Sequence, residues 1–182
     1  MSKVIIFPTD TVYGLGTPIF DVEGIKRIYE IKHRPKDKPL ACLCASLEQI
    51  ESIAYVPENA KKLIKRFLPG ALTIILNSKE EVIEKIGYKT IGVRIPNAKI
   101  ALDILNENGP MLTTSVNESG MVPENEYDDI LRDFGSLVDK VYETDRKSSS
   151  VPSTVLMINQ DGSIKILRNG EITGQEIEEC LA

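Results

Sequence analysis

Short apolar runs that end at proline, glycine or polar residues alternate along the chain with segments whose apolar residues recur at helical spacing. Apolar runs bounded in this way are typical of buried strands, and recurrence every three to four residues is typical of helices. The runs predict strands at Val4–Phe7, Leu40–Ala45, Ala71–Leu76, Thr90–Ile95, Met111–Ser115, Leu137–Tyr142, Thr154–Asn159 and Ser163–Leu167. The periodic segments predict helices that begin after Asp21, Ser46 and Pro57, and at Lys99–Glu107 and Gln175–Leu181.

This alternation predicts an α/β (α+β) fold with one twisted sheet of about seven strands and flanking helices. The 182 residues suit a single domain over residues 1–182, since no internal repeat or Pro/Gly/Ser-rich linker divides them. No apolar run approaches the roughly 18 residues of a membrane-spanning helix. The first residues predict a core strand and not a signal peptide. We therefore expect a cytoplasmic protein that does not enter a membrane.

The cysteine and histidine content limits the kinds of catalytic and metal site that the chain can form. Cys42 and Cys44 share one face of a predicted strand with Leu40, so they are predicted to be buried core residues and not metal ligands or a redox pair. His33 is the single histidine, which argues strongly against a His-centred catalytic triad and a multi-His zinc site. The chemistry must therefore rest on Lys, Arg, Ser, Thr, Asn and carboxylates.

Charge is segregated along the chain although the net charge is only −5. Residues 25–38 carry a local charge of +4, and residues 118–145 carry −7. Two solvated faces of opposite sign would explain this pattern. Pro35 breaks the helical periodicity of the basic segment, however, so part of that segment is predicted to be a loop. A basic loop between apolar segments favours an anion site.

Four polar segments follow or interrupt predicted strands, where open α/β sheets collect ligands. They are Pro8–Gly16, Lys32–Leu40, Thr90–Pro96 and Thr113–Gly120, with a weaker pair at Ser153-Thr154 and Leu167-Arg168. The chain lacks the G-x-x-x-x-G-K-[ST] motif and the third glycine of a dinucleotide fingerprint. Each segment also has an explanation that involves no ligand. Thr, Ser, Asn and Gly are common in turns, and Arg94 would form a structural ion pair at a strand edge. Taken together, the arginines, lysines and hydroxyls predict a site for a multiply anionic ligand.

These segments, in this order, resemble the motifs of the YrdC family, whose best-known members are threonylcarbamoyl-AMP synthases of tRNA modification. The matching segments are Pro8–Gly16, Lys32–Leu40, Pro69–Thr73, Val93–Pro96, Thr114–Gly120, Ser153–Val155 and Ile166–Gly170. The resemblance implies a twisted mixed sheet with a concave basic cavity. It also implies a reaction of L-threonine, bicarbonate or CO2, and ATP that yields L-threonylcarbamoyl-AMP and pyrophosphate.

Carried over by motif, the resemblance implies two groups of site residues and no covalent nucleophile. The residues expected to bind ATP are Lys32, Arg34, Lys38, Thr90, Ser115, Asn117 and Arg168. Those expected to bind threonine and the carbamate are Thr11, Arg94, Thr113 and Ser153. Mg2+ is expected to enter with ATP and not to be held by protein ligands. The expected downstream partner is the enzyme that transfers the threonylcarbamoyl group to tRNA.

Some positions depart from the family pattern, and one alternative function stays open. Leu43, Val116, Pro123 and the Ser148–Ser150 segment differ from the residues that are commoner there. The alternative is a YciO-like protein that binds tRNA or double-stranded RNA without synthase activity, which the basic segment would suit. A carbamoyl-transfer role like that of the YrdC-like part of HypF is disfavoured, because the chain lacks acylphosphatase-like and zinc-finger-like segments.

Overall fold

The computed structural model describes residues 2–159 and 161–182, and the strands within these ranges form one sheet. The strands are β1 Ile5–Phe7, β2 Gly14–Pro18, β3 Ala41–Leu43, β4 Leu72–Asn77, β5 Thr90–Arg94, β6 Met111–Ser115, β7 Lys140–Val141, β8 Thr154–Ile158 and β9 Ile164–Arg168. The helices are α1 Val22–Lys32, α2 Leu47–Ile53, α3 Glu58–Phe67, α4 Glu80–Ile86, α5 Lys99–Asn108, α6 Tyr127–Phe134 and α7 Gly174–Leu181, and a 3-10 turn spans Gly135–Leu137.

The sheet is mixed, with the strand order β7-β1-β2-β6-β3-β5-β4-β8-β9. The pairs β1/β7, β3/β5 and β4/β8 are parallel, and the other neighbours are antiparallel. Strands that are far apart in the chain therefore lie side by side at the centre of the sheet. The predicted fold class, a mixed α/β sheet with flanking helices, is confirmed, with nine strands in the described residues instead of about seven.

The two faces of the sheet are covered unequally. Because side chains alternate between faces, Ile91 and Val93 of β5 point into the main core with Ile74 of β4. Buried residues of every helix except α5 contribute to this core. On the opposite face, α5 packs on a smaller cluster that includes Phe7 and Met111. Part of that face is consequently left open.

Four elements differ from the sequence prediction. The strand β2 lies in a segment predicted as a polar loop, since Gly-Leu-Gly-Thr-Pro lacks a clear apolar alternation. It forms because β1 and β6 both offer it a hydrogen-bonding edge. The helices α4 and α6 are not predicted either; α4 buries only Val82, whereas α6 buries Ile130 and Phe134 one turn apart. The strand predicted at Leu137–Tyr142 is shorter than expected, at two residues.

The predicted burial of Cys42 and Cys44 is confirmed, because both are fully buried in the main core with Leu40. In the described part of the chain, no helix has the length and apolar character needed to cross a membrane.

The contact between α1 and β2 gives the first testable prediction. A Cβ atom at Gly24 would lie 2.0 Å from Thr17 Oγ1 and 2.9 Å from Asp21 Cγ. We expect Gly24→Ala to lower the free energy of unfolding by about 2 kcal/mol, because overpacking outweighs the gain in helix propensity. Urea denaturation followed by circular dichroism measures this change.

The control is the same substitution combined with Thr17→Ala. Thr17 Oγ1 has no hydrogen-bond partner among the described residues, so its removal breaks no hydrogen bond seen there. Gly24→Ala should therefore destabilise the Thr17→Ala background by less than it destabilises the wild type. Equal losses of unfolding free energy in the two backgrounds would show that the clash with Thr17 does not cause the destabilisation.

Candidate functional site

A cavity of about 410 Å3 opens on the uncovered face of the sheet. Alternate residues of the central strands line it, among them Thr73 and Ile75 of β4, Ala41 and Leu43 of β3, Thr90, Gly92 and Arg94 of β5, and Thr113 and Ser115 of β6. Two glycines of the sheet lie against threonine side chains on this face. A Cβ atom at Gly92 would lie 3.2 Å from Thr73 Cγ2, and one at Gly14 of β2 would lie 2.7 Å from Thr113 Cγ2.

Arg94, at the end of β5, is the central cation of the cavity and is only 6% exposed. Its Nε donates to the carbonyl oxygen of Gly70 at 2.9 Å, and its Nη1 donates to Thr11 Oγ1 at 2.9 Å. Its Nη2 donates to the carboxylate of Asp10. Burial lowers the pKa of Arg94, and the charge of Asp10 opposes this effect. Three of the five guanidinium N–H groups of Arg94 donate in these contacts among the described residues. The other two are able to bind an anion.

The connection between β1 and β2 is ordered by its own hydroxyl groups. Thr9 Oγ1 donates to the carbonyl oxygen of Val12 at 2.6 Å and accepts from the backbone N–H of Thr11 at 3.2 Å. This local turn holds Asp10 and Thr11 where they contact Arg94.

A second guanidinium lies beside the first. Arg168 of β9 donates from Nε and Nη2 to the carbonyl oxygen of Ser153, at 3.0 and 2.8 Å, and from Nη2 to Ser153 Oγ at 3.1 Å. Ser153 Oγ also lies 2.8 Å from Thr73 Oγ1. Burial lowers the pKa of Arg168, and the charge of Arg168 contributes to the lowered pKa of Arg94. Two guanidinium groups therefore lie at this end of the cavity, and the carboxylate of Asp10 is paired with one of them.

The third arginine of the cavity, Arg34, lies on the loop after α1, which we call the basic loop (residues 33–39). His33 adopts the left-handed conformation, with φ 47° and ψ 43°. Its N–H donates to the carbonyl oxygen of Glu30, and the N–H of Arg34 donates to that of Tyr29. This pair of bonds is the Schellman motif, which ends the helix and turns the chain toward the cavity. Pro35 then prevents the helix from continuing.

Lys32, on the last turn of α1, is buried behind the cavity wall and is 1% exposed. Its Nζ donates to the carbonyl oxygen of Ser115 at 2.6 Å and to Asn117 Oδ1 at 2.9 Å. Asn117 Oδ1 also accepts from Ser115 Oγ at 2.6 Å. Burial, and then the charge of Arg34, lowers the pKa of Lys32 to about 8. Within the described residues, no carboxylate forms a salt bridge with this amine.

Eight of the eleven predicted site residues line the cavity: Thr11, Arg34, Thr90, Arg94, Thr113, Ser115, Ser153 and Arg168. Lys32 and Asn117 contact Ser115 from behind the wall. Lys38 is exposed on the basic loop and contributes its carbonyl oxygen, not its amine, to the contacts seen there. Arg168, which the sequence groups with the ATP contacts, lies against Ser153 of the threonine group. The ligands of these residues stay predictions.

Asp10 and Thr73 are among the polar residues of the site that the sequence prediction missed. Both lie within motif segments already singled out, so their chemical type was visible. Their roles as partners of Arg94 and Ser153 depend on contacts across 84 and 80 positions of the chain. Leu43 and Pro123, two of the positions that depart from the family pattern, also line the cavity.

A family model matches residues 1–170: Sua5/YciO/YrdC, which carries the description "Telomere recombination". The chain belongs to the Sua5/YciO/YrdC family. The resemblance inferred from the motifs is thereby confirmed, and it covers all of the segments that line the cavity.

Proteins named threonylcarbamoyl-AMP synthase, Sua5 and YciO are similar to this chain. The threonylcarbamoyl-AMP synthase of Bacillus subtilis is 36% identical over 99% of this chain, which covers 53% of that protein. The structure of Pyrococcus abyssi Sua5 complexed with L-threonine is 36% identical with a TM-score of 0.89, over 98% of this chain and 54% of that one. The structure of Escherichia coli YciO is 30% identical with a TM-score of 0.82, over 93% of this chain and 84% of that one. The chain thus spans about half the length of the first two relatives.

The buried amine of Lys32 predicts a pH dependence of stability. Its pKa is about 8 in the folded protein and near 10.5 in the unfolded chain. Between these values the unfolded state binds more protons, so the Lys32 contribution to stability rises with pH, and below pH 8 the buried charge weakens the fold in full. From pH 7.5 to pH 9.5 this contribution should rise by about 2 kcal/mol.

We expect Lys32→Met to remove this rise, which urea denaturation at the two pH values would measure as a difference between variant and wild type. Other groups that titrate in this range cancel in the difference. Lys26→Met, an exposed lysine on the same helix, should follow the wild type. Parallel pH curves for Lys32→Met and the wild type would contradict the lowered pKa.

Proposed function

We propose that this member of the Sua5/YciO/YrdC family is a threonylcarbamoyl-AMP synthase, a nucleotidyltransferase that acts in the threonylcarbamoyl-adenosine modification of tRNA. The observation that carries the proposal is the single cavity in which Arg34, Arg94 and Arg168 converge with threonine and serine hydroxyls. Such a cavity suits a ligand with several negative charges at separate positions. The Bacillus subtilis and Pyrococcus abyssi relatives support the choice of reaction.

The chemistry needs no protein nucleophile. The amine nitrogen of L-threonine bonds to the carbon of CO2 and releases a proton to solvent, which gives a carbamate. A carbamate oxygen then attacks the α-phosphorus of ATP, and the bond from that phosphorus to the bridging oxygen of pyrophosphate breaks. Each species is anionic, so the protein contributes mainly by positioning the reactants and by stabilising their charge.

The arrangement of the site suggests how the residues divide between the two substrates. Arg94, with its two unused N–H groups, is suited to bind the threonine carboxylate, with Thr11 and Ser153 close to the carbamate. Arg34, Thr90 and Ser115 also line the cavity and are proposed to bind the nucleotide. Lys32 would act through Ser115, whose carbonyl and side chain it fixes directly and through Asn117.

Mg2+ is proposed to enter as part of the ATP substrate. The polar side chains that line the cavity are hydroxyls and guanidinium groups, and the nearby carboxylate of Asp10 is paired with Arg94. These groups fit a metal ion that is held by phosphate oxygens and water and not by the protein. When bound, the ion would neutralise part of the phosphate charge.

The product carries a reactive mixed anhydride between a carbamic acid and a phosphate. It must be consumed by a group transfer to a nucleophile before water hydrolyses it. We therefore propose that a tRNA threonylcarbamoyl transferase is the downstream partner.

The direct test is mass spectrometry of the purified protein incubated with ATP, Mg2+ and bicarbonate. We expect a product with the mass of threonylcarbamoyl-AMP, together with pyrophosphate, when threonine is present. Parallel incubations with serine and with no amino acid are the controls. A chain that binds ATP but releases no threonine-dependent pyrophosphate would not be a synthase.

Arg94→Ala tests the division between substrates. Loss of the guanidinium should raise the KM for threonine at least tenfold, because a bidentate partner of the carboxylate is removed, while the KM for ATP changes less than about threefold. Steady-state pyrophosphate release with each substrate varied in turn measures both values. Arg132→Ala, an arginine exposed on α6, should leave both unchanged. Equal increases in the two KM values would refute the assignment.

The alternative of an RNA-binding protein without synthase activity is favoured by one observation, the exposure of Lys36 and Lys38 on the basic loop. Filter binding with tRNA at two salt concentrations tests it, since contacts to phosphates weaken steeply with salt. Salt-sensitive tRNA binding in the absence of product formation would favour this reading over the synthase.

A further inference from the structure

Two tyrosines outside the cavity form hydrogen bonds at the ends of the basic loop. Tyr29 lies on α1, and Tyr88 lies between α4 and β5. Tyr29 holds both ends of the loop: its carbonyl oxygen accepts the N–H of Arg34 at 3.0 Å, and its hydroxyl donates to the carbonyl oxygen of Lys38 at 2.7 Å. One residue thereby sets the separation of the two loop ends.

The two hydroxyls form a directed chain of hydrogen bonds. The single hydroxyl hydrogen of Tyr29 is used on Lys38, so Tyr88 must be the donor in the 3.1 Å contact between the two hydroxyl oxygens. Tyr88 in turn accepts the backbone N–H of Leu40 at 3.0 Å. The chain therefore runs from Leu40 through both tyrosines to Lys38 and closes around the end of the loop.

Arg34 is attached to the carbonyl groups that this chain holds. Its Nε donates to the carbonyl oxygen of Lys38 at 3.1 Å, and its Nη2 donates to that of Pro39 at 2.9 Å. The carbonyl oxygen of Lys38 thus accepts one hydrogen bond from Tyr29 and one from Arg34. These two bonds use both of its lone pairs. The described residues use two of the five N–H groups of Arg34 in these contacts. The other three, two on Nη1 and one on Nη2, can bind a ligand in the cavity that Arg34 lines.

We infer that Tyr29 and Tyr88 are positioning residues that hold the guanidinium of Arg34 in place for the phosphates of the nucleotide. The inference rests on the proposed function for the identity of the ligand, but the positioning itself does not depend on it. Without the hydroxyls, the carbonyl of Lys38 loses its second partner and the side chain of Arg34 samples other rotamers. Nucleotide binding must then order that side chain, and the entropy lost in doing so weakens the binding.

The first measurement needs no ligand. In protein labelled with 15N-arginine, the Nε–Hε signal of Arg34 is assigned by its loss in Arg34→Ala. Tyr29→Phe and Tyr88→Phe should each broaden this signal or speed its exchange with water, with the larger effect for Tyr29→Phe. The matched control is Tyr55→Phe, which makes the same change at a side chain that is 54% exposed and should leave the signal unchanged.

The second measurement is calorimetric titration with α,β-methylene-ATP in the absence of threonine. Tyr29→Phe should weaken binding by about fivefold, the effect of one neutral hydrogen bond. In an Arg34→Ala background, the same substitution should have no further effect, because its action passes through Arg34. A merely structural role would lower stability and weaken nucleotide binding equally with or without Arg34.

An unchanged Nε–Hε signal in both tyrosine variants overturns the inference. Equal weakening of nucleotide binding in the wild-type and Arg34→Ala backgrounds also overturns it, as does a wild-type protein that binds no nucleotide. A wild-type protein that binds the nucleotide and forms no threonine-dependent product refutes the proposed synthase alone. In that case the tyrosine variants still test the positioning of Arg34.

Discussion

The buried charge of Arg94 is the constraint on which the site depends. A guanidinium at the end of a central strand is stable inside a protein only if its N–H groups are hydrogen-bonded and its charge is compensated. Here the partners come from two separate segments, since Asp10 and Thr11 lie between β1 and β2 and Gly70 lies between α3 and β4. Meeting this requirement brings the first motif, the turn before β4 and the end of β5 to one point.

The alternation of side chains across the sheet decides where the cavity forms. One face of the central strands is apolar and supports the main core, whereas the other presents hydroxyls, Arg94 and the small residues Ala41 and Gly92. Because α5 covers only part of that second face, the polar part stays open. A glycine on the floor of the cavity leaves room for a ligand that a larger residue would fill.

Three of the four cations of the site are held without a carboxylate partner among the described residues. Asp10 pairs with Arg94, but Lys32, Arg34 and Arg168 are bound by carbonyl and side-chain oxygens among the described residues. Carbonyl groups fix the position of a cation and leave its charge for a ligand. The acidic segment differs, since Asp129 and Asp133 pair with Arg132 at the surface of α6. Of the described charged residues in the basic and acidic segments, only Arg34 lines the cavity.

The sequence by itself determined the fold class, most strand positions, the buried cysteines and the family, because apolar periodicity and contiguous motifs are local properties. It also supplied eight of the residues that line the cavity. The tertiary structure decided the rest: β2, which needs the edges of β1 and β6; Asp10 and Thr73 as partners of Arg94 and Ser153; and the burial of Lys32 behind the wall. These features depend on contacts between segments far apart in the chain, and neither spacing nor composition encodes such contacts.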